Sequence, residues 1–154
     1  MAAGKVGLMA DEMGGAGGTL DIGPLRGAVK ALGDAIGVYN RSLPDADAVT
    51  RDTWRSGVIK NFEVAYELCW KYMKKWLEMN IGPEVLTGVH RREFYRIARE
   101  NGLITDVKVW WDFHESRNKT VHIYDLEVAV DVFGASMAFF PVAQQFVADL
   151  EGMI

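Results

Sequence analysis

Apolar residues recur along this chain at intervals of three and four, the spacing that gathers side chains on one face of an α-helix, in five separate stretches. The first begins near Pro24, a residue suited to the first turn, and puts Leu25, Ala28, Val29, Leu32, Ile36 and Tyr39 on one face. Gly27, Gly33 and Gly37 each cost such a helix about 1 kcal/mol relative to Ala, so packing must hold it. Ser42-Leu43-Pro44-Asp45 breaks the pattern. The second stretch runs from about Ala48 to Asn80 without a proline, and its stripe is Trp54, Val58, Phe62, Ala65, Cys69, Met73 and Trp76. Glu67 and Lys71 are spaced to pair along it, and Ile81-Gly82-Pro83 supplies the stop.

The third stretch, HRREFYRIARENG, carries a narrow apolar face of Phe94, Ile97 and Ala98, with Gly102 where a C-terminal cap belongs. Arg91, Arg92, Arg96 and Arg99 occupy its other faces. The fourth starts at the N-cap candidate Asp106 and passes Trp110, Phe113 and Arg117 toward Asn118-Lys119-Thr120. The fifth starts after Asp125 and follows Leu126, Val130, Phe133, Met137 and Phe140; Pro141 is expected to kink or interrupt it before Phe146, Val147 and Leu150 resume the face. No alternating segment or two-residue hairpin signal reads as a strand. The pattern predicts an all-α protein, an antiparallel up-and-down bundle of about five helices.

Residues 1–20 are rich in Gly and Met without periodicity and read as a disordered tail, leaving 21–154 as the bundle. The tail's GGAGGTL lacks the Lys-Ser/Thr and the preceding strand of a phosphate loop. Composition fits one globular domain: 154 residues, 49% hydrophobic and 25% charged. No apolar run approaches the ~18 residues of a membrane span, and the N-terminus has no core of signal-peptide length, so the expected location is the cytoplasm. A formal net charge of -4 argues against coating nucleic acid non-specifically and leaves room for a local basic cleft. The lone Cys69, inside an apolar stripe, reads as a small core residue.

Most familiar active-site patterns are missing. His114-Glu115 is not followed by the second His of H-E-x-x-H, one Cys and three scattered His give no zinc pattern, and no Gly-x-Ser-x-Gly occurs. Neither metal nor cofactor is expected. Glu63 and Glu67 share a helix face, a spacing that solvated carboxylates or salt bridges to nearby Lys explain.

The segment Glu115–Asp125 differs, because it sets a guanidinium, an amide, an imidazole and a phenol within eight residues at a helix boundary. Histidine titrates near neutrality and can take a proton from a ribose 2′-hydroxyl or return one to a leaving 5′-oxygen. Arginine can hold a phosphate through its planar fork and stabilise the charge gained as phosphorus becomes five-coordinate. Arg117 and His122 are five positions apart, so on an unbroken helix they would be skewed by about 140°. They converge only if the helix relaxes near Lys119 or Thr120, or if two copies face each other. The residues alone also permit a structural reading, in which Arg117 pairs with Glu115 or Asp112, Asn118 caps a helix and His122 is a partly buried polar residue.

The run R-N-K-T-V-H-I-Y, residues 117–124, resembles the signature of HEPN domains: Arg and a polar residue, then His, with the Tyr two positions later seen in HEPN toxins paired with minimal nucleotidyltransferases. The block from Arg55 to Lys71 resembles the long helix of the nucleotidyltransferase substrate-binding family, a HEPN subgroup, and the likeness extends over about residues 24–152. It implies a five-helix bundle that forms a homodimer, with a small nucleotidyltransferase as partner and antitoxin. It also implies a metal-independent endoribonuclease in which Arg117 clamps phosphate, His122 is general acid/base and Asn118 positions the backbone. Tyr124 would receive adenylate from the partner. An alternative within the same resemblance is a non-catalytic subunit that binds the nucleotidyltransferase's substrate, with RNA replaced by nucleotide in the same cleft. A third possibility is a purely structural helical dimer.

Overall fold

The computed structural model describes residues 18–154, and five α-helices account for most of them, with no strand among the described residues. Gly14, Gly15 and Gly17 of the GGAGGTL run, with the rest of the tail through residue 17, lie outside the described residues. Helix α1 is Gly23–Ser42, α2 is Ala48–Asn80, α3 is Arg91–Glu100, α4 is Val107–Asn118 and α5 is Leu126–Glu151. Short 3-10 turns at Pro83–Leu86 and Lys119–His122 lie in the α2–α3 and α4–α5 connections. The first of these occupies a stretch that carries no helical pattern in the sequence.

Local chemistry sets the helix ends. Pro24 stands in the first turn of α1. The carboxylates of Asp47, Asp106 and Asp125 each accept a hydrogen bond from a backbone N–H two or three residues on, capping α2, α4 and α5. Helix α3 ends as the sequence suggests: Gly102 takes φ +81°, and the N–H groups of Gly102 and Leu103 donate to the carbonyls of Arg99 and Ala98. That closure needs a left-handed residue, which glycine adopts without steric cost.

At 33 residues, α2 spans about 50 Å and is the spine of the bundle; α1 and α5 pack along it, and α3 and α4 close one side. Its buried surface is wider than a single stripe, for Ile59, Tyr66, Leu68, Tyr72 and Leu77 join Val58, Phe62, Ala65, Cys69 and Met73 in the core. Phe139 of α5 is the aromatic hub. Its ring lies 5.3 Å from Phe62, 5.7 Å from Trp110 and 5.0 Å from Phe113, in edge-to-face arrangements. Leu20 and Ile22, just ahead of α1, are also buried in this core, and the Tyr72 hydroxyl donates to the Asp21 carbonyl at 2.7 Å. Cys69 is fully buried, and burial pushes its thiol well above the ordinary range.

One expectation is corrected. Pro141 does not interrupt α5, which continues from Leu126 to Glu151. Pro141 is exposed while Phe139, Ala143 and Phe146 are buried, so packing on the opposite face holds the helix through the lost N–H. The same helix is long and apolar enough to cross a membrane by length and composition, although no single apolar run in the sequence suggests it. In the fold it lays Val132, Phe139, Phe146 and Leu150 into the core.

Candidate functional site

Near the end of α4 the chain tightens from α-helix into the 3-10 turn Lys119–His122, and Thr120 anchors that turn to α2. Thr120 is buried, and its hydroxyl is hydrogen-bonded to the Glu63 carboxylate and lies 2.8 Å from the Arg117 carbonyl. The tether brings the last turn of α4 against two carboxylates one helical turn apart on α2. Arg117 Nε lies 3.3 Å from Glu67 Oε1, and another guanidinium nitrogen lies 3.9 Å from Glu63 Oε1. The Arg117 side chain keeps 29% of its surface open to solvent. Its Nε is itself buried and has no aligned hydrogen bond, so the approach to Glu67 is an ion pair rather than a hydrogen bond.

Glu63 is poised by opposing effects. Burial acts to raise its carboxyl, but hydrogen bonds from Thr120 and Lys60 and the charges of Lys60 and Arg117 outweigh it, holding the group below the usual carboxylate range. These two carboxylates are thus not simply a solvated face or Lys partners. They fix the arginine. The sequence-level alternative of pairing Arg117 with Glu115 or Asp112 fails because neither stands three or four positions away on α4, and Asp112 is taken by Lys108 at 2.7 Å.

Asn118 belongs to a second network. Its side-chain nitrogen lies 3.3 Å from His114 Nε2, one helical turn back, and His114 Nδ1 lies 3.1 Å from the Tyr66 hydroxyl. Tyr66 also hydrogen-bonds the buried Tyr95 hydroxyl and accepts from Arg91 at 3.1 Å. With the Asn118 amide donating to Nε2, His114 is the neutral tautomer with its proton on Nδ1, donated to Tyr66. Burial, reinforced by the charge of Arg91, lowers the His114 imidazole below its ordinary range, which favours that neutral form. Burial likewise raises the Tyr66 and Tyr95 phenols.

His122 and Tyr124 form the third group. Both are exposed, Tyr124 to 84%, with the phenol oxygen 3.3 Å from His122 Nδ1 and the rings edge to face. His122 is therefore not the partly buried residue that a structural reading expects. Val121, Leu126 and Val130 lie exposed along the same turn and the first turns of α5. Within one chain no hydrogen bond or ion pair joins Arg117 or Asn118 to His122, even though the backbone relaxes at Lys119 as convergence requires.

Sequence reasoning placed the four motif residues but missed their supports: Glu63, Glu67, Thr120, Tyr66, His114 and Arg91. The i,i+4 spacing of Glu63 with Glu67, and of His114 with Asn118, was the available signal. Among the described residues no group of three or more His, Cys, Asp and Glu side chains is gathered as a metal site.

The fold and motif define an all-α protein of HEPN type, with Arg, Asn, His and Tyr set around the turn between its last two helices. Residues 20–152 match the family described as nucleotidyltransferase substrate binding protein like, and the chain belongs to that family. A curated relative from Haemophilus influenzae, named probable ribonuclease HepT, is 34% identical over 87 residues, which cover 56% of this chain and 60% of the relative. The match thus spans less than two thirds of that relative's length. Among solved structures, a Haemophilus influenzae protein described as the substrate binding domain of a nucleotidyltransferase superposes with a TM-score of 0.77 at 28% identity, covering 85% of this chain and 99% of its own. A Thermus thermophilus protein superposes with a TM-score of 0.61 at 27% identity, covering 80% and 98%.

Proposed function

We propose that this chain is a metal-independent endoribonuclease of HEPN type, the toxin of a cytoplasmic toxin–antitoxin pair whose antitoxin is a minimal nucleotidyltransferase. The observation that carries the reading is the division of the motif. Arg117 is held half-open by two carboxylates, while His122 and Tyr124 stand exposed one turn away beside Val121, Leu126 and Val130. A second copy docked on this apolar surface completes a cleft that a single chain leaves open, which favours a homodimer.

In that cleft one His122 takes the proton of a ribose 2′-hydroxyl as its oxygen bonds to phosphorus. Arg117 stabilises the charge on the non-bridging oxygens, and the other copy of His122 returns a proton to the 5′-oxygen as its bond to phosphorus breaks. Asn118, held by His114, positions the RNA backbone. The products are a 2′,3′-cyclic phosphate and a 5′-hydroxyl. The name probable ribonuclease, carried by the curated Haemophilus influenzae relative, supports the catalytic reading. The description of a solved relative as the substrate binding domain of a nucleotidyltransferase supports the alternative, a non-catalytic subunit that offers the same Arg and His to nucleotide phosphates.

Incubating freshly purified, unmodified protein with RNA in EDTA separates the two. Cleavage that leaves cyclic phosphate ends and falls by about 10²–10⁴-fold in His122→Ala is expected. Cleavage that needs a divalent ion or survives both His122→Ala and Arg117→Ala refutes the mechanism, and no cleavage at all selects the binding subunit.

A further inference from the structure

Away from the motif, Arg92, Arg96 and Arg99 of α3 and Lys108 of α4 line one concave site of about 650 Å³. Arg96 is paired with Glu93 at 2.9 Å and Lys108 with Asp112 at 2.7 Å. Both pairs are solvent-exposed, and such pairs give way readily to a competing anion. Arg92 and Arg99 have no ion pair among the described residues. Asp106, which also lines the site, is engaged in capping α4 through the Val109 N–H. Four cations around one hollow are a marked local departure in a chain whose net charge is -4.

The hollow is connected to the motif by one face of α4, on which three of four successive residues carry planar groups. Val107, Trp111, His114 and Asn118 follow one another along a single face of α4, at intervals of four, three and four residues. The Arg92 guanidinium lies over the Trp111 ring at 4.6 Å, and that ring lies 5.3 Å from the His114 ring. Beside it, Arg91 lies over Trp70 at 3.8 Å. From Asn118 at the motif to Val107 at the hollow the rise along α4 is about 16 Å. Phosphate-binding cations interleaved with indole and guanidinium planes are what single-stranded nucleic acid binds without regard to sequence, phosphates on the cations and bases on the flat faces.

We propose that this face of α3 and α4 is a single-strand RNA track that holds the substrate several nucleotides from the scissile phosphate, with Arg92 and Arg99 as phosphate contacts and the plane of the Arg92 guanidinium, backed by Trp111, as the stacking platform. It rests on the reading of the motif as an RNA site, and it adds the part of the substrate that reading leaves unplaced. A strand longer than the motif itself therefore binds more tightly and with a steeper salt dependence.

The test uses the full chain and a fluorescent 2′-O-methyl 12-nucleotide RNA, which cannot be cut, with a 2′-O-methyl dinucleotide too short to reach the hollow as competitor. The variant Arg92→Gln/Arg99→Gln is expected to bind the 12-mer about tenfold more weakly and to flatten the log–log salt slope by about 1.4, the loss of two single-strand phosphate contacts. Its affinity for the dinucleotide is expected to stay that of the parent. Lys30→Gln/Arg41→Gln, which removes two cations from α1, is expected to leave the 12-mer's affinity unchanged. Equal binding of the 12-mer by parent and Arg92/Arg99 variant overturns the track, as does an equal loss in the α1 control. A variant that binds RNA normally but no longer holds a co-encoded nucleotidyltransferase also overturns it, and marks the face as a protein docking surface. Cleavage of unmodified RNA by the parent, assayed in parallel, keeps the two readings apart: a track that depends on Arg92 and Arg99 in a protein that cuts nothing upholds the track and ends the nuclease reading.

Discussion

Arg117 reaches back from the last turn of α4 to place its Nε 3.3 Å from the Glu67 carboxylate of α2, 50 positions earlier in the chain. The pair decides which way the motif's only guanidinium points. Glu67→Gln keeps the size of the side chain and removes its charge, so Arg117 loses the nearer of its two carboxylate anchors and keeps Glu63 while the fold persists. RNA cleavage by this variant is expected to fall by about tenfold, much less than in Arg117→Ala, because orientation is lost and the phosphate clamp is kept. The stability change is expected to be about 1 kcal/mol for a pair whose side chains keep 29% and 33% of their surface open to solvent. Cleavage rates and thermal melts of the two variants check both, and equal loss of activity in the two would assign Glu67 a direct role.

Tyr124 is the most exposed large hydrophobic side chain among the described residues, and its hydroxyl lies 3.3 Å from His122 Nδ1. Adenylate transferred there would set a phosphate beside the cleft and fill it, blocking RNA without unfolding the chain. After incubation with the cognate nucleotidyltransferase and ATP, mass spectrometry is expected to find adenylate on the parent and none on Tyr124→Phe. Adenylate undiminished in Tyr124→Phe would place the switch elsewhere.

The burial of His114 makes stability depend on pH in a definite direction. Its imidazole is held below the ordinary range by desolvation and by Arg91, with a smaller effect of Arg117, while Glu67 and Glu115 pull the other way. The unfolded chain then binds the proton more readily than the folded one. The contribution of His114 to stability is complete above the unfolded value of about 6.5 and is lost as pH falls through the lower folded value. Melting temperatures measured from pH 7.5 down to 5 are expected to fall more steeply for the parent than for His114→Gln. Parallel curves would show that this imidazole does not carry the difference.

Phe139 is fully buried where rings from α2 and α4 meet on α5. Phe139→Ala removes the hub and leaves a cavity whose cost is about 3–5 kcal/mol. Urea unfolding should show it as a shift in midpoint with little change in slope. A loss under about 1 kcal/mol would mean that the neighbouring rings collapse into the space.

The five helices were legible in the sequence because each is written locally: apolar residues at helical spacing, an aspartate before α2, α4 and α5, a glycine after α3. The motif was legible for the same reason, since Arg117, Asn118, His122 and Tyr124 lie within eight residues. What each of them touches was not. Glu63 and Glu67 acquire their meaning from Arg117, and Tyr66 and Arg91 from His114, only when α2, α3 and α4 pack, because these contacts join residues that are far apart in the chain. Proline 141 shows the same division. Its ring and missing N–H signal a break in any isolated helix, yet burial of the residues on both sides of it keeps α5 whole. Periodicity and caps are properties of a few consecutive residues and can be read directly from their order, whereas a side chain's partner and its protonation depend on which distant surfaces the core brings together, and that is decided only by the folded chain.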